Sequence, residues 1–180
     1  MNKAEIEQER MRGVITMVID TLMKEHWNKI YSTRDVEKLS WYEEIPEPSI
    51  RLLSKCHIKK DEFVLDVGAD TSTFIDYLID KGFSNIIATD ISEIALNKLK
   101  ERFGKEKASQ VRWIVDDITK PIYIQNLRDI SVWHDRAVLH FLLKENQQQA
   151  YLSTLKKVIK KGGYVIIAAF SLEGEKNVAV

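Results

Sequence analysis

The stretch Phe63-Val64-Leu65-Asp66-Val67-Gly68-Ala69-Asp70-Thr71-Ser72 decides the fold. Phe63 to Val67 is a branched, apolar run of strand length. It closes on an acid, then on a glycine that lets the chain turn sharply, and Ser72 opens a helix to Lys81 that Gly82 ends. Strand, tight turn and helix in that order form the first half of a βαβ unit.

The same pattern continues outward. Further strands are expected at Asn85 to Thr89, Val111 to Val115, Ile130 to Trp133 and Tyr164 to Phe170. Helices are expected at Ser92 to Phe103, closed by Gly104, at Val138 to Leu142, and at Glu145 to Lys160, closed by Gly162-Gly163. Strands alternating with helices predict an α/β fold with a mostly parallel, Rossmann-like sheet covered on both faces. Upstream, Ile6, Val14, Ile15, Val18, Ile19, Leu22 and Met23 share one helical face, predicting an amphipathic helix over residues 3–24. We divide the chain into that N-terminal helix (1–25) and one domain (26–180). An aromatic stretch, His26-Trp27 through Tyr31 to Trp41-Tyr42, leads to Pro46-Glu47-Pro48-Ser49, a helix start that places a helix at Ile50 to Cys56.

Composition narrows the function classes. With 180 residues and 44% hydrophobic content the chain can bury one core. Its 27 basic and 27 acidic residues cancel, so no global field recruits nucleic acid or a membrane surface. Cys56 is alone and the four histidines lack metal-site spacing, so neither a disulfide nor a metal is expected and a cytoplasmic setting fits. The acids Glu5, Glu7 and Glu9 argue against a targeting peptide, and the run from Gly13 to Ile19 is too short to span a bilayer.

In an open parallel sheet, ligands sit beyond the carboxyl ends of the strands where strand order reverses. Three ends here carry acids: Asp66 with Gly68, Asp90, and Asp116-Asp117-Ile118. Asp90, about 20 residues after the glycine, is placed to accept both hydroxyls of a ribose. Asp117, favoured over Asp116, is placed to accept from an adenine amino group. A dinucleotide needs bare N–H groups at a glycine-rich turn, whereas this loop has one glycine and two carboxylates. That charge suits S-adenosylmethionine, a cofactor with two cationic centres and no phosphate, and opposes NAD. After the fourth strand, Trp133-His134-Asp135-Arg136 lies next to where a transferred methyl would sit. His134 and Asp135 are candidates for a base; a packed tryptophan, a capping Asp135 and a solvated Arg136 are the structural alternative. Trp27, Tyr31, Trp41 and Tyr42 fit either a cover over the cofactor and an acceptor mouth, or core packing.

Asp66-Val67-Gly68-Ala69, Ala88-Thr89-Asp90-Ile91-Ser92 and Asp116-Asp117-Ile118 resemble the motif series of class I S-adenosylmethionine-dependent methyltransferases. The strings Trp41-Tyr42-Glu43-Glu44-Ile45-Pro46 and Trp133-His134-Asp135-Arg136-Ala137-Val138-Leu139-His140-Phe141 resemble small methyltransferase-like proteins, some relatives of which methylate protein lysines. The resemblance implies strand order 3-2-1-4-5 and a cofactor held by Asp66, Gly68, Ala69, Asp90, Ile91, Asp117 and Ile118. It implies a small molecule or a protein side chain as acceptor, with a degenerate, non-catalytic binding or interaction protein as the alternative. The family carries a second glycine where this chain has Asp70. It also continues past the fifth strand with an antiparallel pair, for which too few residues follow Phe170 here. The domain therefore reads as incomplete at its C-terminus, with an open sheet edge that invites self-association.

Overall fold

The computed structural model describes residues 22–39 and 41–169. Helix α1 occupies 22–33 and α2 is Glu47–Leu53. There follow β1 (Phe63–Val67), α3 (Thr73–Asp80), β2 (Ile86–Asp90), α4 (Glu93–Ala108), β3 (Val111–Val115), β4 (Ile130–Arg136), α5 (Glu145–Val158) and β5 (Ile159–Ala168). The five strands form one sheet in the order β3-β2-β1-β4-β5, with every pairing parallel. β1 is therefore central, and strand order reverses beside it.

Alternation along each strand sorts side chains between two cores. Val64, Ile86, Ala88 and Val132 face α2, α3 and α4, packing with Leu53, Phe74, Leu78, Leu96 and Leu99. Leu65, Val67, Ile87, Ile114 and Trp133 face α5, packing with Tyr151 and Val158. Because both faces are covered, the strands need continuous apolar runs. Ser72 caps α3 by accepting from Phe74 N at 3.2 Å, and Ser92 caps α4 by accepting from Ala95 N at 3.2 Å.

Several boundaries differ from the sequence expectation. The expected helix at 3–24 lies outside the described residues except for its last turn, and α1 continues through the aromatic stretch to residue 33. Trp27 and Tyr31 thereby share one helical face, their rings stacked 6.0 Å apart. α2 begins at Glu47, earlier than Ile50, because Pro48 falls in its first turn. Gly104 (φ 68°, ψ 174°) interrupts α4, and one further helical turn follows it. The segment expected as a helix at Val138 to Leu142 is reduced to a single 3₁₀ turn, Leu139–Phe141. β4 runs three residues beyond Trp133, to Arg136.

The helix expected to reach Lys160 stops at Val158, and extended chain starts at once. Ile159 pairs with Ile130 and Tyr164 with Val132, so residues 160–163 bulge out of the ladder. Gly163 is required there, since a Cβ would lie 2.7 Å from Ile159 Cγ1 and 3.1 Å from the Ile130 carbonyl oxygen. β5 is an edge strand among the described residues. Its Ile166 is buried, whereas Val165 and Ile167 are 43% and 38% exposed on the opposite face. No helix among the described residues is long and apolar enough to cross a membrane.

Candidate functional site

A cleft opens at the carboxyl ends of β1, β2, β3 and β4, beneath α1 and the segment around Trp41. Its walls include Gly68, Asp70, Asp90, Ile91, Asp117 and Ile118 from the first three strand ends. Arg136, Ala137 and Val138 line it from β4, and Trp27, Tyr31 and Trp41 cover it. Gly68 has φ 65°, and a Cβ there would sit 2.0 Å from Val138 Cγ2, so only glycine lets β1 turn under the β4 loop.

The acids of the cleft are tied to the backbone turns around them. Asp90 is 7% exposed; its Oδ2 accepts from Asp70 N at 3.0 Å and its Oδ1 from Ser92 N at 2.7 Å. Burial pushes its carboxyl up to about 7 against the pull of those two N–H groups, with the Asp70 charge adding to the rise. Asp70 itself holds a left-handed backbone, φ 46°. Its Oδ2 accepts from Trp41 Nε1 at 2.7 Å and its Oδ1 from the Thr71 hydroxyl at 3.0 Å. Burial raises its carboxyl as well, partly opposed by Trp41, Thr71 and Tyr31. The Tyr31 phenol is raised far above its ordinary value by burial and by the charges of Asp70 and Asp90. Asp117 is half-buried, with Oδ1 accepting from the Thr119 N–H and hydroxyl at 2.8 Å each. Asp116 lines the same wall, but its carboxylate takes the N–H groups of Asp117, Ile122, Tyr123 and Ile124.

The two residues expected to act as a base do not face the cleft. His134 is 1% exposed, stacked on Phe74 at 4.1 Å, with Nδ1 2.6 Å from Asp66 Oδ1 and Nε2 2.8 Å from Ser49 Oγ. Asp135 is fully buried; it accepts from Val138 N at 2.8 Å, Leu139 N at 3.2 Å and the Tyr151 hydroxyl at 2.7 Å. Burial raises the Asp135 carboxyl, and burial and the Asp135 charge together raise the Tyr151 phenol. Because β4 continues to Arg136, alternation points His134 into one core and Asp135 into the other. Asp66 sits in the first of these networks and Ala69 is fully buried with its N–H on Thr89 O, so neither lines the cleft.

Three cleft residues escaped the sequence reading. Arg136 donates to the Trp41 carbonyl and lies 3.6 Å from Glu43 Oε2, which fixes the aromatic segment rather than leaving the arginine solvated. Phe141 packs edge-on against Trp27, centroids 5.0 Å apart. Thr89, on the cleft wall, has a buried hydroxyl with no partner among the described residues. The Asp-Ile-Ser turn after it drew attention to Asp90, and nothing in the spacing singled out the threonine.

This geometry fits S-adenosylmethionine and not a dinucleotide. The N–H groups of Ala69, Asp70 and Ser72 are already bonded to Thr89 O, Asp90 Oδ2 and Ala69 O, so the turn offers no nest for a pyrophosphate. Thr89 Oγ1, an orphaned polar atom on the wall beside Asp90, is a position that a polar ligand would satisfy. No group of metal-binding side chains occurs among the described residues.

The family model for a methyltransferase domain matches residues 64–163. Mus musculus EEF1A lysine methyltransferase 2 is 25% identical over 159 residues, covering 81% of this chain and 64% of the relative. The chain thus spans a little under two thirds of that relative's length. The Mus musculus eEF1A lysine and N-terminal methyltransferase is 32% identical over 83 residues, 46% of this chain and 12% of that one. Among solved structures, Haemonchus contortus phosphoethanolamine N-methyltransferase 1, in complex with phosphoethanolamine and S-adenosylhomocysteine, superposes with a TM-score of 0.66 at 17% identity. It covers 82% of this chain and 31% of its own and establishes likeness of fold. With the cleft at the reversal of a 3-2-1-4-5 sheet and the family match across its strands, the chain belongs to the class I S-adenosylmethionine-dependent methyltransferases.

Proposed function

We propose that this chain transfers the methyl group of S-adenosylmethionine to a nitrogen of a protein side chain, with lysine as the favoured acceptor. The observation that carries the reading is the pairing of an aromatic cover, Trp27, Trp41 and Phe141, with the carboxylates of Asp70, Asp90 and Asp117 in one cleft. Aromatic faces and carboxylates together favour an amine and its methylated, cationic products. The names of the two mouse relatives support a protein acceptor.

In this reading Asp90 accepts from the ribose hydroxyls, Asp117 from the adenine amino group, and Gly68 allows the backbone close approach. The bound cofactor supplies a methyl carbon made electrophilic by its positive sulfur. Transfer forms one N–C bond as the S–C bond breaks, its electron pair passing to sulfur, so the protein's main contribution is alignment and exclusion of water. The acceptor must shed a proton first. With His134 and Asp135 withdrawn into the cores, we assign no side chain of the cleft as the base: the acceptor amine loses its proton to solvent before it closes on the methyl carbon.

Incubating the chain with methyl-labelled S-adenosylmethionine and either an elongation factor 1A protein or phosphoethanolamine separates protein from small-molecule acceptors. Label on a lysine, found by mass spectrometry, is the expected result. Label on the small amine alone would overturn the acceptor class, and cofactor binding without transfer to any amine would favour the non-catalytic alternative.

A further inference from the structure

The strand order fixes which part of the cofactor meets which wall. Asp117 ends β3 and Asp90 precedes it at β2, so adenine and ribose occupy that side of the cleft. What remains of the cofactor, its sulfur and amino-acid portion, falls between the ends of β1 and β4, the side that Asp70 and the aromatic cover enclose.

Asp70 is built into that corner with some care. It adopts φ 46°, a conformation that costs little for glycine and more for aspartate, and its carboxylate is gripped by the Trp41 indole N–H and the Thr71 hydroxyl. Both donors are neutral. The guanidinium in the cleft, Arg136, is committed to Glu43 and the Trp41 carbonyl. Arg102, on the outer side of the turn, is taken by the Thr71 and Ser72 carbonyls and by Asp76. Among the described residues Asp70 therefore faces the cleft as a negative group without a side-chain cation of its own, and Asp90 stands beside it, accepting from its N–H.

Resting on the cofactor reading above, we propose that Asp70 is a specificity-determining counter-ion that makes the cleft prefer S-adenosylmethionine, with its positive sulfur, over the product S-adenosylhomocysteine, whose sulfur is neutral. Both molecules carry the same ammonium, ribose and adenine, so what separates them is the methyl group and the positive charge on the sulfur that bears it. A charge on the wall near the sulfur acts on the second of these, and sinefungin, cationic without that methyl, tells the two apart. For the enzyme, the consequence is relief from inhibition by its own product.

Calorimetric titration of the full chain tests this with S-adenosylmethionine, S-adenosylhomocysteine and sinefungin, an analogue with an ammonium in place of the methylated sulfur. Wild type should bind both cationic ligands about tenfold more tightly than the neutral product, the scale expected of one well-placed charge pair. Asp70→Asn preserves shape and the acceptor for Trp41, and should bring the ratio to about one. Asp70→Gly suits the local φ, guards against a folding defect in the first variant, and should do the same. Equal affinities in wild type, or an undiminished ratio in both folded variants, would overturn the inference while leaving the cofactor reading intact. Failure of wild type to bind any of the three would overturn both.

Discussion

Asp66 and Asp70 belong to the same strand end, yet they lead opposite lives. Asp66 points into the core beneath α3, where its Oδ1 meets His134 and, through it, Ser49. Asp70, past the turn at Gly68, points into the cleft and is gripped by the aromatic cover. The same division runs across the sheet: Asp135 is enclosed in the core by backbone turns and a tyrosine, whereas Asp90 and Asp117 line the cleft while also holding backbone turns. Polar residues clustered at strand ends are thus two populations, one holding the loops in shape and one presented to a ligand.

The sharpest way to break this division is to remove an inner acid. Asp135→Ala leaves the Tyr151 hydroxyl without an acceptor and the N–H groups of Val138 and Leu139 without their carboxylate, and should cost about 3–5 kcal/mol of stability. Denaturant unfolding measures it; a loss below about 1 kcal/mol would mean water or repacking replaces the network.

A cleft acid should behave differently, through pH. Asp90 has its carboxyl raised to about 7 by burial, and Asp70 is shifted in the same direction. A cationic ligand favours the ionised form, so affinity for S-adenosylmethionine should rise by about tenfold from pH 6 to pH 8. Stability of the ligand-free chain carries the opposite sign. A raised folded value means more protons bound in the folded state, so this contribution is full below the ordinary carboxyl range and is lost as pH rises through about 7. Calorimetry and thermal unfolding at matched pH check both; affinity independent of pH would remove Asp90 from contact with the ligand's charge.

The smallest effect is expected at the far end of the inner relay. Ser49→Ala removes the partner of His134 Nε2 and should cost about 0.5–1.5 kcal/mol in unfolding, with cofactor affinity unchanged. A tenfold loss of affinity in a folded Ser49→Ala protein would show that the inner relay shapes the cleft, and the two populations would merge.

Much of the fold was legible because it is written in local chemistry. Phe63–Val67 and Val111–Val115 occupy the predicted spans, and Ser72 and Ser92 cap the helices they were expected to open. Charge alone separated a sulfonium cofactor from a dinucleotide. The misplacement of His134 and Asp135 has a physical cause: the apolar run stops at Trp133, but β4 continues because the polar residues after it find buried partners elsewhere in the sequence. Partners so distant leave no periodic trace. The Trp41 to Asp70 bond is hidden for the same reason, and it reveals why aspartate can stand where the resemblance puts glycine: the aromatic segment holds it there.

The central position of β1 has a bearing on how the cleft comes into being. β1 and β2 are joined by a single helix and can meet early, whereas β1 reaches β4 only after α4, β3 and the following loop have been placed between them. The wall bearing Asp70, Asp90 and Asp117 is therefore assembled from one continuous portion of the chain, and the wall bearing Arg136, Val138 and Phe141 from a later one. The cleft is thus closed by a long-range pairing, and its two walls meet only where β4 lies against β1.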